Sequence, residues 1–127
     1  MKTKSLTLVE SVAALTIIGL FMGTMLIFIY KAAIAGKETA LHIELRNIRS
    51  TINLHKIVKG SYPKDLRELI HARYKPTGSN EIYFSEKFLD TVGRDTQGYP
   101  VDPFGNKFYY DPQEGVVFST SKGYQQW

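Results

Sequence analysis

Cysteine is absent from this 127-residue chain, which excludes disulfides, thiolate nucleophiles and cysteine-based zinc sites. Histidine is scarce: His42, His55 and His71 are the only three, and none stands at the four-residue spacing of a helical metal pair. No G-x-S-x-G, phosphate-binding loop or H-E-x-x-H run occurs. Asp and Glu are scattered as a solvated surface scatters them, so no catalytic residue is assigned and an enzyme is not expected. Basic residues outnumber acidic ones by 16 to 12, giving a formal charge of +4. They form no dense stripe of the kind that tracks a nucleic-acid backbone, so nucleic acid is not an expected partner. Proline is missing before Pro63, which leaves the first half of the chain without its strongest helix breaker. The length suits one small globular domain and no more.

The most informative absence is of charge. From Ser11 to Tyr30, twenty consecutive residues carry none. As a helix they span about 30 Å, the thickness of a bilayer's hydrocarbon core. Helix is also the one single-segment structure that satisfies its own backbone there. Lys2 and Lys4 precede the run, which keeps the N-terminus cytoplasmic and sends the chain after Lys31 across the membrane. A buried helix of a soluble protein rarely runs so long without charge. A cleavable secretory signal would use Ala33-Ile34-Ala35 and begin the mature chain at Gly36, although the apolar stretch is about twice the usual length. A plain signal anchor fits everything except Glu10. That glutamate is the only charge between Leu6 and Tyr30. At mid-membrane a charged side chain costs about 2.5–3.5 kcal/mol, and less near the interface. Glu10 gains a reason to be there if cleavage frees an α-amine close by, since opposite charges favour each other's ionised forms.

Ser5-Leu6-Thr7-Leu8-Val9-Glu10, followed by Ile17-Ile18-Gly19, resembles the class III signal of type IV pilins and type II secretion pseudopilins. The resemblance implies a leader at residues 1–5, a membrane or filament-core helix at 6–30, and a periplasmic head at 31–127 that includes the rest of the helix. It implies cleavage between Ser5 and Leu6 by a prepilin peptidase, N-methylation of Leu6, and an assembly or register role for Glu10. Ser5 stands where the family has Gly, and Leu6 where it has Phe.

Beyond Lys31, Leu41, Leu45, Ile48 and Ile52 recur at helical steps, with Lys37, Glu38, Glu44, Arg46 and Arg49 filling the remaining faces. Glu38, His42, Arg46 and Arg49 are spaced for local pairing. One helix is therefore expected from about Leu6 to Val58, roughly 80 Å long, stopped by Gly60 with Pro63 beyond. Gly19 and Gly23 form G-x-x-x-G, a pattern of close helix packing or of local flexibility. Pro63 and Asp65 open a short helix with Leu66, Leu69 and Ile70 on one face. Residues 81–84 suggest a short strand. Lys107–Tyr110 and Val116–Thr120 suggest a hairpin turned by Asp111-Pro112-Gln113-Glu114-Gly115. Tyr62-Pro63 with Leu66, and Asp102-Pro103-Phe104-Gly105-Asn106, also resemble the major pseudopilin of type II secretion. Thirteen aromatics between Tyr62 and Trp127 supply bulk to a small core.

The expected fold is α+β and pilin-like: a long N-terminal helix packed on a small antiparallel sheet. Major pseudopilins of this family hold calcium in a C-terminal loop. Here Ser119 to Trp127 carries no acidic side chain, Asp95 and Asp102 fit no calcium spacing, and Asp111 and Glu114 belong to the turn. No calcium, other metal or cofactor is expected. The resemblance implies a structural subunit of a pseudopilus or related type IV filament, single-pass in a bacterial inner membrane before assembly. Its implied partners are other pilin-like subunits, a prepilin peptidase, an inner-membrane platform, an assembly ATPase acting indirectly, and a secretin in diderm cells. A minor or competence-type pilin, and a non-polymerising periplasmic domain on one anchor, remain as alternatives.

Overall fold

The computed structural model describes residues 7–74, 83–84 and 89–127. The architecture is α+β, and its elements fall into two compact units, Met1–Gly36 and Lys37–Trp127. Helix α1, Leu8–Lys59, contributes to both. It ends where the glycine expectation places it. Gly60 turns into the left-handed region (φ 79°), and its N–H closes on the Lys56 carbonyl at 2.8 Å.

In the first unit every described side chain of α1 up to Ala33 is exposed. The helix is long and apolar enough to cross a membrane, a property that signal sequences share.

In the second unit the same helix buries one stripe. Leu41, Leu45, Ile48 and Ile52 are at most 1 % exposed, as their spacing predicts. The stripe is less apolar than expected, because Glu44, Thr51 and His55 share it. Glu44, assigned above to the solvated faces, is only 7 % exposed. The correction follows from geometry: residue 44 is three positions from Leu41 and four from Ile48, and so falls on their side of the helix. The side chains read as locally paired also find distant partners. Glu38 accepts from the Tyr124 hydroxyl at 2.6 Å, His42 stacks on Trp127 at 3.9 Å, and Arg49 donates to the Val117 and Trp127 carbonyls.

Helix α2, Leu66–Ile70, buries Leu66, Leu69 and Ile70. It starts later than the sequence suggests. Asp65 is the N-cap and not a first-turn residue: its Oδ1 accepts from the Arg67 N–H at 3.1 Å. Pro63 stays outside, and its carbonyl accepts from the Tyr110 hydroxyl at 2.7 Å.

Among the described residues the strands form three two-stranded antiparallel ladders rather than one sheet. Strands β1 (Arg73–Tyr74) and β2 (Tyr83–Phe84) pair, as do β3 (Gly93–Arg94) and β4 (Pro100–Val101). Residues 81 and 82, expected to begin the β2 strand, lie outside the described residues. The third ladder is the foreseen hairpin, β5 (Phe108–Asp111) with β6 (Val116–Ser119): the first strand begins and ends one residue later than expected, with Asp111 paired to Val116, and the second ends one residue earlier, at Ser119. A single bridge, Val101 to Lys107, joins the β4 and β5 regions. Phe108, Val117 and Ser119 point inward, while Tyr109 and Phe118 stack on the other face at 4.5 Å. Phe108 and Val117 join the buried stripe of α1 and the apolar face of α2 in one core.

Candidate functional site

Two places combine chemistry with position, one in each unit. The first is the start of α1. The Thr7 N–H donates to Glu10 Oε2 at 2.8 Å, and the Thr7 hydroxyl donates to the same oxygen at 2.9 Å. In return the Glu10 N–H reaches the Thr7 hydroxyl oxygen at 3.3 Å. This reciprocal arrangement is a capping box, which satisfies donors that the first turn leaves without helical partners. Its T-x-x-E signature is visible in Thr7-Leu8-Val9-Glu10, and it supplies a local reason for Glu10 that the sequence reading missed. Ser5 and Leu6, the expected cleavage and methylation positions, lie outside the described residues.

Beyond the cap, Leu8, Phe21 and Phe28 are each more than 70 % exposed. The apolar surface from Leu8 to Tyr30 far exceeds the few hundred Å² that a soluble monomer leaves open. Gly19 and Gly23 lie on it, and a Cβ built on either would meet nothing within 4 Å. Two threonines on the same stretch satisfy their own hydroxyls: Thr16 donates to the Val12 carbonyl at 2.9 Å, and Thr24 to the Leu20 and Phe21 carbonyls. That removes an isolated polar group from an otherwise apolar surface.

The second place is a buried polar cluster in the Lys37–Trp127 unit. It is built from two successive D-x-x-G loops, Asp95-Thr96-Gln97-Gly98-Tyr99 and Asp102-Pro103-Phe104-Gly105-Asn106. Both use one hydrogen-bond scheme. The Asp Oδ1 accepts from the N–H two and four residues on, at 2.8 Å twice for Asp95 and at 3.0 and 2.9 Å for Asp102. The glycine, at positive φ, donates back to the Asp carbonyl. This repeat was legible in the sequence and gives both aspartates a local hydrogen-bonding role.

The second oxygens differ. Asp95 Oδ2 pairs with Lys107 at 3.0 Å at a partly open position, and its carboxyl is held below the ordinary carboxylate range by the Tyr99 N–H and that lysine. Asp102 Oδ2 is buried and accepts from the Ser119 hydroxyl at 2.7 Å and the Ser121 hydroxyl at 2.6 Å. Asn106 Nδ2 donates to Ser121 at 2.8 Å. Four donors therefore occupy both carboxyl oxygens of Asp102 in the interior. Glu44 lies within electrostatic reach of it. Burial, and then the charge of Asp102, push the Glu44 carboxyl up to about 7. Among the described residues no three His, Asp or Glu side chains converge on a metal-sized site.

No family model, curated protein or solved structure matches this chain.

Proposed function

We propose that this protein is a structural subunit of a pseudopilus or related type IV filament, processed by a prepilin peptidase and stored as a single-pass inner-membrane protein. One observation carries the reading. A single helix, α1, is apolar and uncovered on all sides up to Tyr30, yet from Leu41 to His55 it buries one stripe against a small antiparallel structure. The class III signal resemblance stands beside it, with Glu10 at the family's glutamate position. In this mechanism the leader is cut before Leu6, and the apolar helices leave lipid to pack against one another. Glu10 then leaves the headgroup region for an apolar core, where an unpaired carboxylate is costly and a paired one tolerable. The new amine of Leu6 supplies the pairing charge and sets register. Gly19 and Gly23, open in the single chain, admit close approach of a neighbouring helix.

The test is reconstitution of the full-length protein with its peptidase and assembly machinery. A mature chain beginning at Leu6 and filaments in the membrane extract are expected. Glu10→Ala should insert normally and be cut normally, yet enter filaments poorly. Assembly of Glu10→Ala at the parental level would remove the register role.

A second reading has its own observation. Thr7 already satisfies Glu10 through the capping box, so the glutamate is explained without a neighbour. A non-polymerising domain on one uncleaved anchor would use that cap alone. Retention of Met1 in the membrane-bound protein would favour it, and a terminus at Gly36 would show a secretory signal.

A further inference from the structure

Two carboxylates in one small interior present a charge problem that Asp102 alone does not solve. Asp102 is 3 % exposed, and its oxygens accept from two backbone N–H groups and two hydroxyls. That set of four donors leaves it no spare lone pair. Glu44 is 7 % exposed, and its Oε2 is buried with no hydrogen-bond partner among the described residues. An ionised oxygen in that position would be a desolvated charge beside a like charge. Asp102, from the 102–106 loop, is the charge that acts on Glu44, and no cationic side chain among the described residues offsets it. Of the groups facing the cluster from the hairpin side, Ser119 and Ser121 are neutral and already committed to Asp102.

We propose that Glu44 is a proton-binding site: buried in the core with one carboxyl oxygen unpartnered among the described residues, it is held as the neutral acid, and losing that proton weakens the packing of α1 on the 102–121 segment. The sign follows from linkage. The folded group binds its proton more tightly than the unfolded chain does, whose ordinary value is 4.5. The contribution is therefore complete below about pH 4.5 and is lost as pH rises toward and through neutrality. His55 tilts the opposite way, because burial lowers it from 6.5. It is common to parent and variant, so their difference isolates Glu44. The proposal does not depend on the filament reading.

Thermal unfolding of the full chain in neutral detergent, compared with Glu44→Gln between pH 5 and 8, tests it. Gln keeps the shape and removes the titration. The gap between the two midpoints should widen with pH, with the variant ahead of the parent by more than about 5 °C at pH 8. Carboxyl carbon NMR of glutamate-labelled parent should show one resonance titrating near neutral, missing in Glu44→Gln, which reports on the site even if the variant folds poorly. Parallel melting curves, or glutamate resonances that all titrate in the ordinary range, would overturn the proposal. So would stabilisation of the parent alone by millimolar calcium at pH 8, which would put a metal ion where the proton is assigned.

Discussion

Asp95 and Asp102 begin with the same local instructions and end with different weight. Each organises a D-x-x-G turn through its own Oδ1, but only Asp102 also gathers two buried hydroxyls. Asp102→Ala leaves those hydroxyls and two backbone donors without their acceptor, and should cost about 3 kcal/mol or more. Asp95→Ala removes the same turn bonds at a wetter position, and its Lys107 pair is open to water. It should cost nearer 1 kcal/mol. Urea midpoints of the two variants check the ordering. Glycine divides in a similar manner. Gly98 and Gly115 both have positive φ, near 76° and 69°, so any side chain there costs about 1–2 kcal/mol. A Cβ at Gly98 meets open space, whereas at Gly115 it would run into the Tyr62 ring. That ring is held by Lys56, whose Nζ donates to the Tyr62 hydroxyl at 2.8 Å. Gly115→Ala should therefore lower the melting midpoint by at least twice as much as Gly98→Ala. Equal shifts would mean that Tyr62 moves freely.

The element that decides most is α1. Its stripe from Leu41 to His55 contributes stability by burial, so Leu45→Ala should cost about 2–5 kcal/mol. Ile43, 53 % exposed on another face, should be replaceable by Ala within about 0.5 kcal/mol. Equilibrium denaturation of both variants measures the contrast, and a large loss at Ile43 would show a covered face. The hairpin shows why small strands follow turn chemistry. Asp111 accepts from the Gln113 N–H through Oδ1 and from the Gly115 N–H through its carbonyl, both at 2.8 Å. That pins the register in which Phe108 and Val117 face the core. The ladder of β3 and β4 is shorter because the Asp95 turn claims the return bond of the next pair: the Tyr99 N–H goes to Asp95 Oδ1 at 2.8 Å, and the Asp95 carbonyl accepts from the Gly98 N–H at 3.0 Å.

At the scale of the molecule, the core lies wholly within Lys37–Trp127. A chain beginning at Lys37 should stay in solution and unfold cooperatively, with a midpoint within a few degrees of the same unit in the full chain. Loss of cooperativity would show that the unit depends on the first part of α1. Its stability should also depend on acid. Burial holds His55 below its ordinary 6.5, with Glu68 opposing and Lys59 assisting that shift. The unfolded chain then takes up the proton first, so stability is full above about pH 6.5 and falls as pH drops below it. In a Glu44→Gln background, where the opposing titration is gone, the urea midpoint should be lower at pH 5.5 than at pH 7.5.

The sequence by itself determined the parts that local chemistry controls. The uncharged run from Ser11 to Tyr30, the seam of Leu41, Leu45, Ile48 and Ile52, the stop at Gly60 and the turn at Asp111–Gly115 each follow from spacing or from a residue's own backbone preference. The Thr7–Glu10 cap and the paired D-x-x-G loops were equally local, and a closer reading of three- and four-residue spacings reveals them. The tertiary structure decided what depends on distant residues. It placed Glu44 beside Asp102, 58 positions away in the chain, and gave Ser119 and Ser121 to that aspartate. It also gave Glu38 to Tyr124, and both His42 and Arg49 to Trp127. The physical reason is that a charged residue on a mixed helix face has two solvents available, water and the folded interior. Which one it meets is set by whatever the rest of the chain lays against that face, and no helical periodicity carries that information.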